Sequence, residues 1–356
     1  MARTHPVSPQ HLTEAAEALR QGRLVAFPTE TVYGLGADAR NEAAVREIFR
    51  IKGRPADHPV IVHLPSAAHL EAWAVAVPEL AYALAERFWP GPLTLVLQRH
   101  PSVLDAVTGA QATVGLRVPG HPVALALLDA FGGGVAAPSA NRFGRISPTT
   151  AEHVRAELGD AVLVLDGGPC AVGLESTILD VSRVGDAEGA PRLLRPGGIA
   201  LGALQEVARA LGLEIEDAVQ PGAGTRRGAP TPRVSGSLAS HYAPATPARL
   251  TEDAAADLAA YWARHPRAGG VGEVAVLARR PQPPLGAAAR ALRRWRVLPE
   301  TPADYGRLLY AALRELDALG CALLLVEAPP PTPEWAAVAD RLRRATAPAA
   351  SPNVPE

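Results

Sequence analysis

Short apolar runs alternate along this chain with segments of helical period, and almost every run is closed by glycine, proline or a hydroxyl-rich turn. That alternation restricts the fold to the α/β class. Ser8-Pro9 reads as the cap and first turn of a helix running to Gly22, with a strand at 24–27. Asn41 caps a second helix that turns Ala44, Val45, Ile48 and Phe49 inward and ends at Gly53, before Pro55. The same reading predicts strands at 60–64, 93–97, 114–118, 135–137, 162–165, 176–181 and 192–194, and helices at 78–88, 122–131, 148–158 and 199–211. These elements make one large domain, 1–215, with a twisted mixed sheet and flanking helices.

The character changes after Asp217. The stretch to Ala248 holds five prolines, four glycines and no hydrophobic period, so 216–248 is expected to be a linker, either a tether or a lid. Beyond it, helices at 254–264, 287–294, 303–319 and 334–344 alternate with strands at 274–277, 296–298 and 322–326. That pattern predicts a small, doubly wound α/β domain over 249–346, followed by a tail at 347–356.

Composition narrows the function classes. With 35 basic and 36 acidic residues the net charge is −1, without the global basic field of a dedicated nucleic-acid binder. Cys170 and Cys321 are the only cysteines, and no histidines pair at metal spacing, so neither a disulfide framework nor a tightly held metal is expected. The charged, amphipathic N-terminus lacks a signal peptide's apolar core, and no apolar run approaches the roughly 18 residues of a membrane span. The expectation is a soluble, cytoplasmic protein.

Lys52 is the only lysine among the 35 basic residues. Where lysine elsewhere gives way to arginine, a survivor is either a chance remnant or the mark of a site needing a compact ammonium, and on the second reading Lys52→Arg is expected to cost activity rather than stability. Lys52 is followed by Gly53-Arg54, not Ser or Thr, which excludes a Walker A loop. Two cations within three residues at a chain kink suit a polyphosphate; they equally suit the end of a helix dipole, and spacing alone does not choose.

Gly34-Leu-Gly36-Ala-Asp-Ala39 mimics a dinucleotide fingerprint but stands too far from its strand, so both glycines are read as turn residues of positive φ. Phe27–Gly34 carries three hydroxyls and a carboxylate on a strand-end turn bracketed by Pro28 and Tyr33, which suits a pocket wall as well as an ordinary polar turn. Pro138-Ser139-Ala140-Asn141 offers hydroxyl, amide and backbone N–H groups for an anion, and no G-x-S-x-G elbow makes Ser139 a nucleophile. Arg117 and Arg195 each close a strand, where a guanidinium reaches a carboxylate, phosphate or purine, or simply a surface partner. His63, at another strand end, reads equally as a buried core histidine.

Together Phe27–Gly34, Lys52-x-Arg54, Pro90-Gly-Pro-Leu-Thr94, Val114–Arg117, Pro138–Asn141, Glu175-Ser-Thr177 and Leu194–Gly197 resemble the threonylcarbamoyl-AMP synthase family, and His241-Tyr-Ala-Pro244 resembles its two-domain form. Many members carry P-G-M-[KR]-Y before that last motif. Here Val234–Ser240 stands instead, without its basic residue. The resemblance implies that L-threonine, bicarbonate and ATP give L-threonylcarbamoyladenylate and pyrophosphate, for modification of tRNA adenosine 37 by a partner transferase. It implies Lys52, Arg54, Ser139 and Asn141 at the reaction centre, and Thr29, His63, Arg117 and Ser176 on threonine. For ATP it implies Lys52, Arg54, Thr113, Ser139, Ser147, Arg195 and Tyr242, with Mg²⁺ held mainly through the phosphates. A carbamoyl-adenylating enzyme using carbamoyl phosphate, and an RNA-binding module without chemistry, are the alternatives.

Overall fold

A computed structural model of the chain describes residues 7–186, 189–219, 231–265 and 273–348. The described residues form two compact units. The first comprises those up to Phe143 and those within Ser147–Ser237; the second comprises Gly144–Ile146 and those from Leu238 onward.

In chain order the first unit contains α1 (Pro9–Arg20), β1 (Val25–Phe27), β2 (Gly34–Asp38), α2 (Glu42–Lys52), β3 (Ile61–His63), α3 (Glu79–Phe88), β4 (Leu93–Gln98), α4 (Asp105–Thr108), β5 (Thr113–Arg117) and α5 (Pro122–Phe131). It continues through β6 (Val135–Ala136), α6 (Ala151–Leu158), β7 (Leu163–Val164), β8 (Thr177–Asp180), β9 (Arg192–Arg195), α7 (Leu201–Ala210) and β10 (Glu216–Asp217). The strands make one sheet in the order β10-β9-β8-β4-β5-β3-β6-β2-β1-β7. It is the expected mixed sheet: β3 and β5 run parallel, as do β4 and β8, while β4 and β5 run antiparallel.

Alternation along the strands sends successive side chains to opposite faces, and helices cover both. Val25, Phe27 and Val135 pack under α1 and α5; Ala26, Leu35, Val62, Leu95 and Leu116 face the larger core with α2 and α3. The predicted caps hold. Ser8 Oγ accepts the His11 amide, Asn41 Oδ1 accepts the Ala44 amide, and α2 stops at Gly53 with φ 62°.

Gly34 and Gly36 require a correction. Neither has positive φ; both lie within β2, a strand that the sequence reading took for a turn. Glycine is needed at 36 because a Cβ there would stand 2.8 Å from both the Phe27 ring and Val135 Cγ1. α6 begins at Ala151, capped by Thr150, rather than at Pro148, whose carbonyl accepts the Tyr33 amide.

The second unit contains β11 (Ala248–Thr251), α8 (Ala254–Arg264), β12 (Val274–Ala278), β13 (Leu292–Val297), α9 (Pro302–Asp317), β14 (Leu323–Glu327) and α10 (Ala336–Ala345). Its four strands are all parallel, in the order β11-β14-β12-β13. Val274, Val276 and Leu325 pack with α8 on one face, while α9 lies against β12 and α10 against β11. The helix predicted at 287–294 is a 3-10 turn at Gly286–Arg290, because Leu292 already pairs with Val274 as the start of β13.

Of the expected linker, residues 220–230 lie outside the described residues. Before them, β10 pairs with β9. After them, Arg233–Ser235 pack on the first unit, and the amide of His241 donates to Arg344 in the second.

Candidate active site

The ends of β1, β3 and β5 and the loops beside them gather polar side chains that a core would exclude. In the turn after β1, Thr29 Oγ1 donates to the Val32 carbonyl (2.7 Å), accepts the amides of Thr31 and Val32, and lies 2.8 Å from Thr31 Oγ1. Arg117, at the end of β5, donates Nη1 to Thr31 Oγ1 (3.0 Å) and Nε to the Gly91 carbonyl (3.1 Å), and its Nη2 is 2.7 Å from Glu30 Oε1. His63 is Arg117's partner across β3 and β5 and is buried. Burial, and next the Arg117 charge, push its pKa down to about 3, so the imidazole is neutral.

Lys52, at the last position of α2, is only 3% exposed. Its Nζ donates to the Ser139 carbonyl (2.6 Å) and to the Asn141 carbonyl, while the Lys52 carbonyl accepts the Phe143 amide (2.8 Å). The ammonium thus ties α2 to the 138–141 loop, which in turn is stitched to the first turn by the Leu35 amide on Pro138 (2.7 Å) and the Ala140 amide on Tyr33 (2.8 Å). Burial, then the neighbouring Arg54 charge, hold the Lys52 pKa well below the lysine range. Arg54 lies over the Phe143 ring and donates Nη2 to the Pro59 carbonyl (2.8 Å) and Ser235 Oγ (3.1 Å).

A third group forms around the end of β9. Arg195 donates Nη2 to Ser176 Oγ (3.1 Å) and carbonyl (2.9 Å), and Nη1 to the Ser235 carbonyl (2.7 Å). Ser176 Oγ in turn is 2.7 Å from Thr94 Oγ1, and Ser147 donates to Glu175 Oε1 at 2.7 Å. Ser235 therefore joins Arg54 to Arg195, with Val234 seated on Val96, Ile178 and Leu194. Thr113 lines a small cleft beside Ser235, with Pro59, Ile61, Gly115, Ile178 and Arg233.

Of the residues singled out from the sequence, Thr29, Lys52, Arg54, His63, Thr113, Arg117, Ser139, Asn141, Ser147, Ser176 and Arg195 all lie in the first unit, most joined by the contacts above. Asn141 donates Nδ2 to the Arg142 carbonyl (2.7 Å). Tyr242 lies in the second unit, 1% exposed, with φ 62°, its ring 5.7 Å from that of Tyr310 and under the Arg341 guanidinium. Five contributors had no role assigned from the sequence: Glu30 and Thr31 on Arg117, Thr94 on Ser176 and Glu175 on Ser147, all within motifs noted there, and Ser235 between two arginines. Among the described residues no three His, Cys, Asp or Glu groups come together to hold a metal, and no helix is long and apolar enough to cross a membrane.

A mixed sheet with four buried cations, two at strand ends and two at or just past the end of α2, held by hydroxyls, carbonyls and one carboxylate and followed by a small parallel-sheet unit, defines a two-unit α/β protein with a cation-rich site. Comparison with known proteins makes this specific. A family profile described as "Telomere recombination" matches residues 17–197, and one described as "Threonylcarbamoyl-AMP synthase, C-terminal domain" matches 200–347. Threonylcarbamoyl-AMP synthase of Pyrococcus abyssi is 38% identical over 341 residues, covering 93% of each chain, and that of Bacillus subtilis is 42% identical over 249, covering 68% of this chain and 66% of its own. A crystal structure of P. abyssi Sua5 complexed with L-threonine superposes with a TM-score of 0.82 at 36% identity, over 96% of both chains. The chain belongs to the threonylcarbamoyl-AMP synthase family.

Proposed function

We propose that this enzyme joins L-threonine, bicarbonate and ATP into L-threonylcarbamoyladenylate and pyrophosphate. The observation that carries the reading is the caging of Lys52, Arg54, Arg117 and Arg195, each under a tenth exposed, at the end of α2 and at the ends of β5 and β9 in one unit. The reaction needs what such a cage offers. The amine of threonine captures CO2 or bicarbonate as a carbamate, a carbamate oxygen attacks the α-phosphorus of ATP, and pyrophosphate leaves. Two anions must be held in contact and water kept away, so fixed cations and amide donors count for more than a nucleophile. Arg117, Thr29 and Ser176 hold the amino acid beside neutral His63, while Lys52, Arg54 and Arg195 face the phosphates and nucleotide with Ser139 and Asn141 between. Mg²⁺ would be held mainly through the ATP phosphates and would supply neutralisation of their charge. The adenylate passes to a transferase that modifies tRNA, in the cytoplasm.

Pyrophosphate release tests this. It should require ATP, bicarbonate and threonine together, and serine should serve less well, since a missing methyl is worth about 1–3 kcal/mol in a fitted pocket. Equal turnover without an amino acid, or with carbamoyl phosphate in place of bicarbonate, would defeat the assignment.

A further inference from the structure

Glu30 is 8% exposed, and neither of its carboxylate oxygens has a hydrogen-bond partner among the described residues. Its one strong contact is the 2.7 Å ion pair to Arg117 Nη2, an atom that is itself without a well-aligned acceptor. Arg117 is otherwise fixed, by Thr31 on Nη1 and Gly91 on Nε. An open donor of positive charge and an open acceptor of negative charge thus lie side by side in a buried wall. A buried carboxylate left this way is costly unless a ligand completes it. The ligand that matches both halves is a zwitterion, with its carboxylate on Arg117 and its ammonium on Glu30.

We propose that Glu30 receives the α-ammonium of the amino-acid substrate and removes the proton that must go before the nitrogen can be carboxylated. The inference rests on the function proposed above. An ammonium has no lone pair, so carbamate formation begins with proton transfer from nitrogen to a Glu30 oxygen. The freed nitrogen pair then forms the N–C bond to bicarbonate; the C–O bond breaks, and the departing hydroxyl takes the second nitrogen proton and leaves as water. Ammonium, bicarbonate and carboxylate become carbamate, water and carboxylic acid, one negative charge on each side, and Glu30 later returns its proton to solvent. The groups that face Glu30 are Arg117 from β5, His121 at the start of α5, and Cys170 before β8, with Gly120 alongside. Burial raises the Cys170 pKa to about 12, so its thiol stays protonated, and the His121 Nδ1 lone pair already accepts the Val123 amide (3.1 Å), so neither neighbour replaces the carboxylate as base.

The test pairs binding with a pH profile. By calorimetry the wild-type protein should bind L-threonine and reject N-acetyl-L-threonine, which keeps the carboxylate and loses the ammonium. Glu30→Gln should lose about ten- to a hundredfold in threonine affinity, the worth of one charged hydrogen bond, with binding of a non-hydrolysable ATP analogue unchanged. In turnover, wild-type kcat/KM for threonine should be nearly level from pH 7 to 9. Glu30→Gln should fall about a hundredfold or more at pH 7 and recover tenfold per pH unit as solvent deprotonates the amine. A Glu30 that merely braces Arg117 would raise KM and leave the profile level, and that result overturns the proposal. So does a wild-type profile that itself climbs tenfold per unit, or equal wild-type binding of the N-acetyl compound. These wild-type measurements decide the matter even if Glu30→Gln fails to fold. Selective threonine binding without any adenylate would fault the proposed reaction and leave the Glu30 contact standing.

Discussion

Replacing Lys52 with methionine keeps the length of the side chain and deletes its charge and its donors. In the folded unit Nζ serves the carbonyls of Ser139 and Asn141, and Lys52 is 3% exposed, so water cannot take its place. Two buried carbonyls would lose their donor, at about 1–3 kcal/mol each. Opposing this is relief from holding an ammonium that burial, and next Arg54, already push well below its ordinary pKa. The net loss should be about 2 kcal/mol, or about 4–8 °C in the melting temperature of a unit this size. Lys52→Arg keeps the charge but must fit a broad fork into the same cage, and overpacking costs about 1–3 kcal/mol. Both variants should therefore melt early as well as lose adenylate synthesis, whereas the sequence alone pointed to lost activity at unchanged stability. Scanning calorimetry beside pyrophosphate release measures the two effects separately. A Lys52→Met protein that melts with the wild type would refute the clamp and leave Lys52 a purely ligand-facing group.

Val234→Asp would put a carboxylate among Val96, Ile178 and Leu194, and should release Arg233 from Gln111, Asp57 and Gly109. Trypsin should then cut after Arg233 many times faster; an unchanged cleavage rate would show that the segment is not held by that contact. His63 gives a signed pH effect. Its folded pKa of about 3 lies below the free value of 6.5, so between those values the unfolded chain binds the extra proton and stability falls as pH falls. The loss from pH 7 to pH 5 should be about 2 kcal/mol, and His63→Gln should flatten that limb in denaturant titrations; an equal acid limb in both proteins would contradict it.

The parts of the site that stand on strand ends could be read from residue order. Arg117 and Arg195 close apolar runs, and the solitary lysine marked Lys52 before any contact was visible. The pairings could not be read. Thr31 and Arg117 are 86 residues apart, and Ser235 is 181 from Arg54 and 40 from Arg195, so nothing local encodes their meeting. β2 was missed for a related reason. Gly-Leu-Gly-Ala-Asp has the composition of a turn, but it is a strand because it pairs with β1 and β6, where the Phe27 ring and Val135 leave room only for glycine at 36. The 3-10 turn at 286–290 shows the opposite failure. Its alanines favour helix, but Leu292 is claimed by the sheet before a helix could continue. Glu30 was visible as a carboxylate on a polar turn, yet its importance lies in having only the Arg117 ion pair and no well-aligned donor for either oxygen, and only the packed structure shows that.

Whether this site builds a carbamate on threonine and adenylates it can be read by mass spectrometry of a reaction with ATP, L-threonine and ¹³C-bicarbonate. Threonylcarbamoyladenylate should appear, heavier by a single mass unit than the product from ordinary bicarbonate, and be absent when threonine is omitted. An adenylate that carries no label, or that forms without threonine, would contradict it.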